Sequence, residues 1–184
     1  IGFLLSAIKI IFLLGFLILI HESGHFFVAK LCKVKVNEFA IGFGPIIWKK
    51  QGNETKYAIR LIPLGGFVSM EGEEEASDEE GSFSKASIPK RMAIVVAGAT
   101  VNIVFGFLVY FILLTTITSI QEALFKTMEL GTSMLESLKS IFTQGLDVNQ
   151  MMGIVGISDV VASTAGIKEF FYILSIVSIS ITSI

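Results

Sequence analysis

The chain has 184 residues, 53% hydrophobic and 16% charged, with a mean hydropathy of +0.77. This composition excludes an ordinary soluble domain of this size and predicts an integral membrane protein. The formal net charge is −2, but ten of the fourteen Lys and Arg residues lie between Lys30 and Arg91. The positive-inside rule therefore predicts a multi-pass protein of the cell membrane with residues 30–91 on the cytoplasmic side. No nucleic-acid partner is expected.

The first predicted element is an apolar helix at residues 2–31, long enough to span a hydrocarbon core of about 30 Å. It contains the motif His-Glu-Ser-Gly-His at residues 21–25. His21 and His25 are four residues apart, so both imidazoles lie on one helix face and can bind one zinc ion. Glu22 then lies beside the metal and can take a proton from a zinc-bound water, whose pKa the metal lowers to about 7.

The membrane setting favours this reading of the motif. In soluble chains the pattern His-Glu-x-x-His also arises by chance. Ionisable groups at membrane depth, however, cost several kcal/mol unless they are paired or bind a metal. The sequence therefore predicts a zinc site rather than an accidental motif.

Residues 34–70 change to the alternating pattern of β-strands, with a turn at Gln51-Gly52-Asn53. They predict a small sheet built from hairpins. Gly65 and Gly66 allow a positive φ or the close approach of another backbone. Two interpretations stay open: a hairpin that only packs, or an edge strand that binds an extended substrate by backbone pairing.

The acidic segment at residues 71–81 carries seven carboxylates between Glu71 and Glu80. A metal-binding loop is one possibility. We predict instead a solvated, mobile surface loop, because nothing in the pattern fixes the carboxylates in a common geometry.

A second spanning helix is predicted at residues 92–119. Small residues just before Asn102 let another helix approach closely. Asn102 is the one strong hydrogen-bonding side chain at that depth. The residues alone favour a packing role for it, with a contact to a substrate carbonyl as the alternative.

The remaining predicted elements are an amphipathic helix along the outer face at residues 120–147 and the start of a third membrane helix at residues 170–184. The fold class predicted from all elements is an all-α polytopic membrane helical bundle with a small membrane-associated β-hairpin sheet after the first helix. We expect residues 1–184 to form a single membrane-embedded core. Because the chain stops within an apolar segment, we expect the C-terminal part of that core to be missing.

Four motifs in this order resemble the site-2 protease family: residues 21–25, Gly42-Phe43-Gly44-Pro45, residues 63–68 and residues 98–102. The closest similarity is to its bacterial branch of regulated intramembrane zinc proteases, which cut anti-sigma factors. The resemblance implies an endopeptidase that hydrolyses transmembrane segments within the lipid bilayer, with Zn²⁺ as cofactor and a transmembrane protein such as an anti-sigma factor as substrate.

Carried over to this chain, the resemblance assigns zinc binding to His21 and His25 and the general base to Glu22. Gly65 and Gly66 match the family's membrane-associated β-loop. Asn102 matches an asparagine that contacts substrate near the zinc, which favours the functional alternative for this residue.

The chain departs from the family pattern in several places. The family's third zinc ligand is an aspartate in a Leu-Asp-Gly motif on a later helix, and no such motif occurs here. Asp147 and Asp159 stand in the wrong context to replace it. Ala99 and Ile154 stand where the family has proline. Residues 119–152 are too few for the PDZ-type domains that many relatives carry.

The rival function is a non-catalytic membrane adaptor that retains the protease fold and binds transmembrane partners without cutting them. A transporter is a weaker third choice, because the chain shows no internal repeat. An aspartate in a Leu-Asp-Gly context beyond Ile184 would favour the protease over the adaptor.

Overall fold

The computed structural model describes residues 2–144, 171–175 and 177–178. Residues 171–175 and 177–178 are helical. The other elements, in chain order, are α1 (Gly2–Leu31), β1 (Val36–Gln51), β2 (Lys56–Met70), α2 (Ile88–Thr115) and α3 (Ile120–Gln144).

The two strands make an all-α description too narrow. β1 and β2 have 16 and 15 residues and pair as one antiparallel sheet. The correction follows from the alternating pattern of residues 34–70, whose β-branched and aromatic residues support strand pairing along nearly the whole segment. The described fold is a set of helices with a two-stranded sheet between the first and the second.

Helix α1 ends in a Schellman motif. Lys33 has a φ of 61°, the left-handed conformation that closes many helices. The Val34 amide donates to the Ala29 carbonyl at 2.9 Å, and the Lys33 amide donates to the Lys30 carbonyl at 3.1 Å. Ala29 and Val34 are both buried in one apolar cluster, so the chain turns sharply from the helix into β1.

The sheet folds back on itself. Ala40 of β1 pairs with Phe67 on one side and with Ala58 on the other. The first half of β1 therefore lies inside the sheet, and residues 46–51 and 66–70 form its outer edges. Glycines with a positive φ stand at the bends, as only glycine adopts this conformation without strain: Gly42 (84°), Gly44 (84°) and Gly65 (100°).

Aromatic residues hold the sheet against α1. The Phe26 ring lies 5.2 Å from the Phe39 ring and 6.1 Å from the Tyr57 ring, measured between centroids. Because Phe26 directly follows His25, this contact fixes the sheet next to the histidine motif. Burial of each such side chain stabilises the arrangement by about 1.5–3 kcal/mol.

The acidic segment is mostly exposed, as predicted, and it is also held by contacts with neighbouring elements. The Asn37 side chain donates to the Glu71 carboxylate at 2.8 Å, and Lys35 binds the Glu79 carboxylate at 2.7 Å. The amide of Phe83 donates to the Glu71 carbonyl at 2.7 Å. The sequence pattern could not reveal these anchors because their partners lie in β1 and in the residues that follow the segment.

Helix α2 begins and ends four residues earlier than predicted. Pro89 lies in the first turn of the helix. Backbone amides there have no hydrogen-bond partner within the helix, so proline, which lacks an amide hydrogen, loses no hydrogen bond. At the other end the hydroxyls of Thr115, Thr116 and Thr118 donate to carbonyls three or four residues back. Helix α3 then starts after Ser119, whose hydroxyl accepts from the Glu122 amide at 3.3 Å.

Among the described residues, two helices, Ile8–Leu31 and Ile88–Thr115, are long and apolar enough to cross a membrane. Large apolar side chains on both are exposed, as expected for surfaces that face lipid: Phe12, Phe27, Val95, Val104 and Leu108. By internal packing the chain forms two units, residues 11–102 and residues 1–10 with 103–184. The first unit contains the histidine motif and the whole sheet. In the second, the rings of Tyr110 and Tyr172 contact each other at a tilt of 39°, with 5.8 Å between their centroids.

Candidate metal centre

The two histidines of α1 face a common space, as their spacing predicts. Their ring centroids are 4.8 Å apart with an interplanar angle of 74°. A Cβ atom placed on Gly98 of α2 would lie 2.5 Å from Nε2 of His25 and 2.6 Å from Nε2 of His21. Both Nε2 atoms therefore border the same small volume beside the Gly98 backbone.

Glycines at the contact of α1 with α2 make this approach possible. A Cβ atom on Gly24 would lie 2.6 Å from the Ala97 carbonyl oxygen, so the backbones meet directly. Any larger residue at Gly24 or Gly98 would separate the helices or displace the imidazoles. Small residues at helix contacts have this role in membranes.

The orientation of His25 is fixed by a second contact with α2. Its Nδ1 atom lies 2.7 Å from the Ile94 carbonyl oxygen, which can only accept. Nδ1 therefore carries the proton, and Nε2 presents its lone pair. Histidine ligands of metals usually have such a backbone or carboxylate partner on the other ring nitrogen.

Glu22 lies between the histidines and the sheet. The half-buried carboxylate lies close to the backbone of Val68, and Glu73 is near enough to interact with it electrostatically. Val68 belongs to the outer edge of the sheet at residues 66–70. The acidic residue of the motif thus contacts the strand that leads away from the predicted β-loop.

Asn102 is brought to His21. The asparagine is buried, with 2% of its surface exposed, and its Nδ2 lies 3.5 Å from Nδ1 of His21. That separation is long for a hydrogen bond. The structure therefore brings Asn102 to the histidines, where it can reach a bound group.

Gly65 and Gly66 pack within the sheet. A Cβ atom on Gly65 would lie 2.5 Å from the Phe43 ring, and one on Gly66 would lie 2.6 Å from the Ala40 carbonyl oxygen. Both glycines therefore allow close packing against β1. Gly66 is also the first residue of the outer edge that carries Val68.

The donor set fits part of a zinc site. Zinc–nitrogen bonds are about 2.0–2.1 Å long, and two imidazoles bordering one volume can supply two corners of a tetrahedron. Within the residues that the structure describes, no group of three or more His, Cys, Asp and Glu is placed to hold a metal. Asp147 and Asp159 lie outside the described residues.

Three residues of the site have roles that the sequence did not reveal. Gly98 and Val68 lie within the motifs at residues 98–102 and 63–68, but Gly98 was interpreted as a small residue for helix packing and Val68 received no role of its own. Ile94 lies in none of the motifs. Ile94 and Val68 act through backbone atoms, which any side chain could accompany. Gly98 was conspicuous because it is a glycine within a predicted helix, and that pattern indicated close packing of helices.

Comparisons with known proteins agree with the motifs. The pattern of peptidase family M50 matches residues 9–184. A protein of Clostridium acetobutylicum named as a candidate zinc metalloprotease is 51% identical over 90 residues, which are 49% of this chain and 26% of that protein. The Regulator of sigma-E protease RseP of Escherichia coli is 40% identical over 116 residues, which are 60% of this chain and 26% of that protein.

A third relative, from Vibrio cholerae, is also named as a candidate zinc metalloprotease, and it is 46% identical over 110 residues, 57% of this chain and 24% of that protein. The chain thus spans about a quarter of the length of these relatives. The family pattern nevertheless covers nearly the whole chain, and it confirms the resemblance to site-2 proteases. This chain belongs to peptidase family M50.

Proposed function

We propose that this chain is part of a zinc endopeptidase that hydrolyses peptide bonds within transmembrane segments of membrane proteins. The observation that carries the proposal is the convergence of Nε2 of His21 and Nε2 of His25 beside Gly98, with Glu22 adjacent. Bound zinc would supply a Lewis acid that activates water and polarises a carbonyl. Membership of peptidase family M50 supports a peptidase.

The depth of the motif supports hydrolysis inside the bilayer. His21 lies ten residues before Leu31, the end of the candidate span. At 1.5 Å per helical residue this places it about 15 Å from that end, near the middle of a hydrocarbon core of about 30 Å. Ionisable groups at this depth are costly unless they are paired or bind a metal, so their presence there favours a functional site.

The residues of the motif have separate roles in this proposal. His21 and His25 hold the metal, and the Ile94 carbonyl keeps the proton of His25 on Nδ1. The Glu22 carboxylate accepts a proton from the attacking water and delivers it to the nitrogen of the departing amine. The backbone of Val68 lies beside this carboxylate.

The outer edge at residues 66–70 suits an extended substrate. The amide of Met70 points outside the sheet, where it donates to the Glu73 carboxylate at 3.2 Å, and the backbone of Val68 lies beside Glu22. Alternate amides of a strand point to the same side, so Gly66 directs its amide toward the same space. A substrate segment unwound from its helix could pair there next to Glu22. Asn102 is the proposed donor to its carbonyl.

We further propose a multi-pass arrangement in the cell membrane with residues 30–91 on the cytoplasmic side, and a membrane-anchored anti-sigma factor as the kind of substrate. The basic residues of this segment and the name of the Escherichia coli relative support these two points. To test the topology, single cysteines would replace Lys49 and Thr132, both exposed, in a Cys32→Ser background. Labelling of both from the same side of the membrane would contradict the arrangement.

The function is tested on the full-length protein that contains this chain. We expect about one zinc ion per chain, lost in His21→Ala and in His25→Ala. Glu22→Gln should keep the zinc and abolish cleavage of a transmembrane substrate. Glu129→Gln, an exposed carboxylate on α3, is the matched control and should change neither. Undiminished cleavage by Glu22→Gln would overturn the assignment, and absence of zinc from the intact protein would favour the membrane adaptor.

A further inference from the structure

A cluster of charged residues covers the face of the sheet opposite to α1. Glu38 accepts a hydrogen bond from Lys56 at 2.8 Å and another from Arg60 at 2.7 Å. Side chains alternate along a strand, so these three residues share the face of Ala40, while Phe39 and Tyr57 face α1. The cluster therefore belongs to the sheet itself.

Arg60 makes two contacts that Lys56 lacks. Its Nη1 donates to the Gly44 carbonyl oxygen at 3.0 Å, at the bend of β1. Its guanidinium lies over the Phe67 ring, 5.1 Å from the centroid. The small side chain of Ala40 lies between Ala58 and Phe67 in the sheet, which lets Arg60 reach across β1 to the outer edge.

The guanidinium is suited to this double attachment. The side chains of Arg60 and Glu38 are 21% and 16% exposed, so solvent screens their ion pair less than a surface pair. A planar guanidinium can bind a carboxylate, donate to a carbonyl and stack on a ring at once, whereas an ammonium is a point charge. Its position over the aromatic ring adds an electrostatic attraction between the cation and the face of the ring.

We propose that Arg60 is a positioning residue for the outer edge of the sheet. Held by Glu38 and by the Gly44 carbonyl, it fixes Phe67 and thereby the backbone of the adjacent Val68 beside Glu22. The edge on which a substrate strand would pair thus depends on a side chain that touches neither the substrate nor the metal. The kinetic consequence of this inference, a change in KM, rests on the proposed function. Its structural consequence, the ordering of the outer edge, does not.

The expected kinetic signature is a loss of binding rather than of chemistry. Without Arg60 the edge is less ordered before substrate binds. Part of the binding free energy then offsets the entropy cost of ordering the edge, and affinity falls. We expect KM of the full-length protease for a transmembrane substrate to rise about tenfold in Arg60→Met, which is about 1.4 kcal/mol, with kcat and zinc content retained. Arg60→Lys should restore little, because Lys cannot make the three contacts together.

The matched control is Lys56→Met, which removes the other cation bound to Glu38 but leaves the contacts with Gly44 and Phe67. It should change KM less than twofold. A second readout needs no substrate: hydrogen exchange of the amides of residues 67–70 should be faster in Arg60→Met than in Lys56→Met. Thermal unfolding of both variants identifies a general loss of folding.

The outcomes separate this inference from the proposed function. If the wild-type protein cleaves no transmembrane substrate, the proposed function fails, and the exchange experiment still decides whether Arg60 orders the edge. If cleavage occurs and Arg60→Met matches Lys56→Met in both KM and exchange, the positioning role is wrong. Loss of zinc from Arg60→Met would also overturn it, because the effect would then reach the histidines.

Discussion

His25 donates a hydrogen bond from Nδ1 to the Ile94 carbonyl oxygen at 2.7 Å, across 69 residues of sequence. The bond joins α1 to α2 and selects the tautomer whose Nε2 can bind a metal. Because the acceptor is a helix carbonyl, its position depends on how closely the two helices pack. Gly24 and Gly98 permit that close packing.

Gly98→Ala should therefore weaken metal binding. The new Cβ atom would lie about 2.5 Å from both Nε2 atoms, closer than any real contact. We expect the zinc affinity of the full-length protein to fall at least about tenfold, the lower end for disturbed metal ligands. Elemental analysis measures the zinc content. Gly131→Ala on α3, where the new Cβ would meet the Phe107 ring at an ordinary 3.7 Å, is the control and should keep the zinc.

Asn102→Ala should reduce cleavage while the protein keeps its zinc. A hydrogen-bond donor to a developing oxyanion is worth about 10²–10³ in kcat, and we expect a loss of that order. Cleavage of a transmembrane substrate and zinc content are measured on the same preparation. Thr100→Ala, whose exposed hydroxyl bonds the Val96 carbonyl of its own helix, is the control. Loss of zinc together with the rate would instead show that Asn102 supports His21.

The ion cluster of Glu38 predicts a loss of stability in acid. Burial raises the pKa of Glu38, but hydrogen bonds and charges from Lys56 and Arg60 outweigh burial and hold the pKa below its ordinary value. A depressed pKa stabilises the folded state above the unfolded pKa of about 4.3, and this contribution is lost as the pH falls through the folded pKa.

Thermal unfolding of the full-length protein from about pH 7 to pH 3 measures this effect. Glu38→Gln should unfold at a lower temperature at neutral pH and lose less on acidification than the wild type. Glu54 and Glu71 also have lowered pKa values, through hydrogen bonds from Lys30 and from Asn37, so part of the acid sensitivity persists. Equal pH dependence in the wild type and Glu38→Gln would contradict the prediction.

Gly42→Ala should destabilise the sheet more than Gly44→Ala. Both glycines have a φ of 84°, so alanine at either position costs about 1–2 kcal/mol of backbone strain. At Gly42 the new Cβ would also lie 2.5 Å from the Ile62 carbonyl oxygen, whereas at Gly44 the nearest atom is 3.7 Å away in the Ile62 side chain. Denaturant unfolding of the two variants measures the difference. Equal losses of stability in the two variants would mean that β2 moves away from the new Cβ atom at residue 42 without a cost in free energy.

The features that the sequence determined are local in character. The i, i+4 spacing of His21 and His25 places both on one face of any helix, and apolar runs predict the two candidate spans. The turn between the strands follows from Gly52 and its neighbours. Helix ends were less predictable, since Pro89 and the threonines after Leu114 act through first-turn geometry and side-chain bonds to the backbone.

The tertiary structure decided which distant groups meet. Val68 contacts Glu22, Ile94 orients His25, and Arg60 reaches Phe67 because the strands bend at glycines and the helices meet at glycines. The contacts of Val68 and Ile94 use backbone atoms, so they do not restrict which residue type stands at either position. Helical and strand periodicity result from each residue's near neighbours, but such contacts depend on how whole elements pack, and for that reason only the folded chain specifies them.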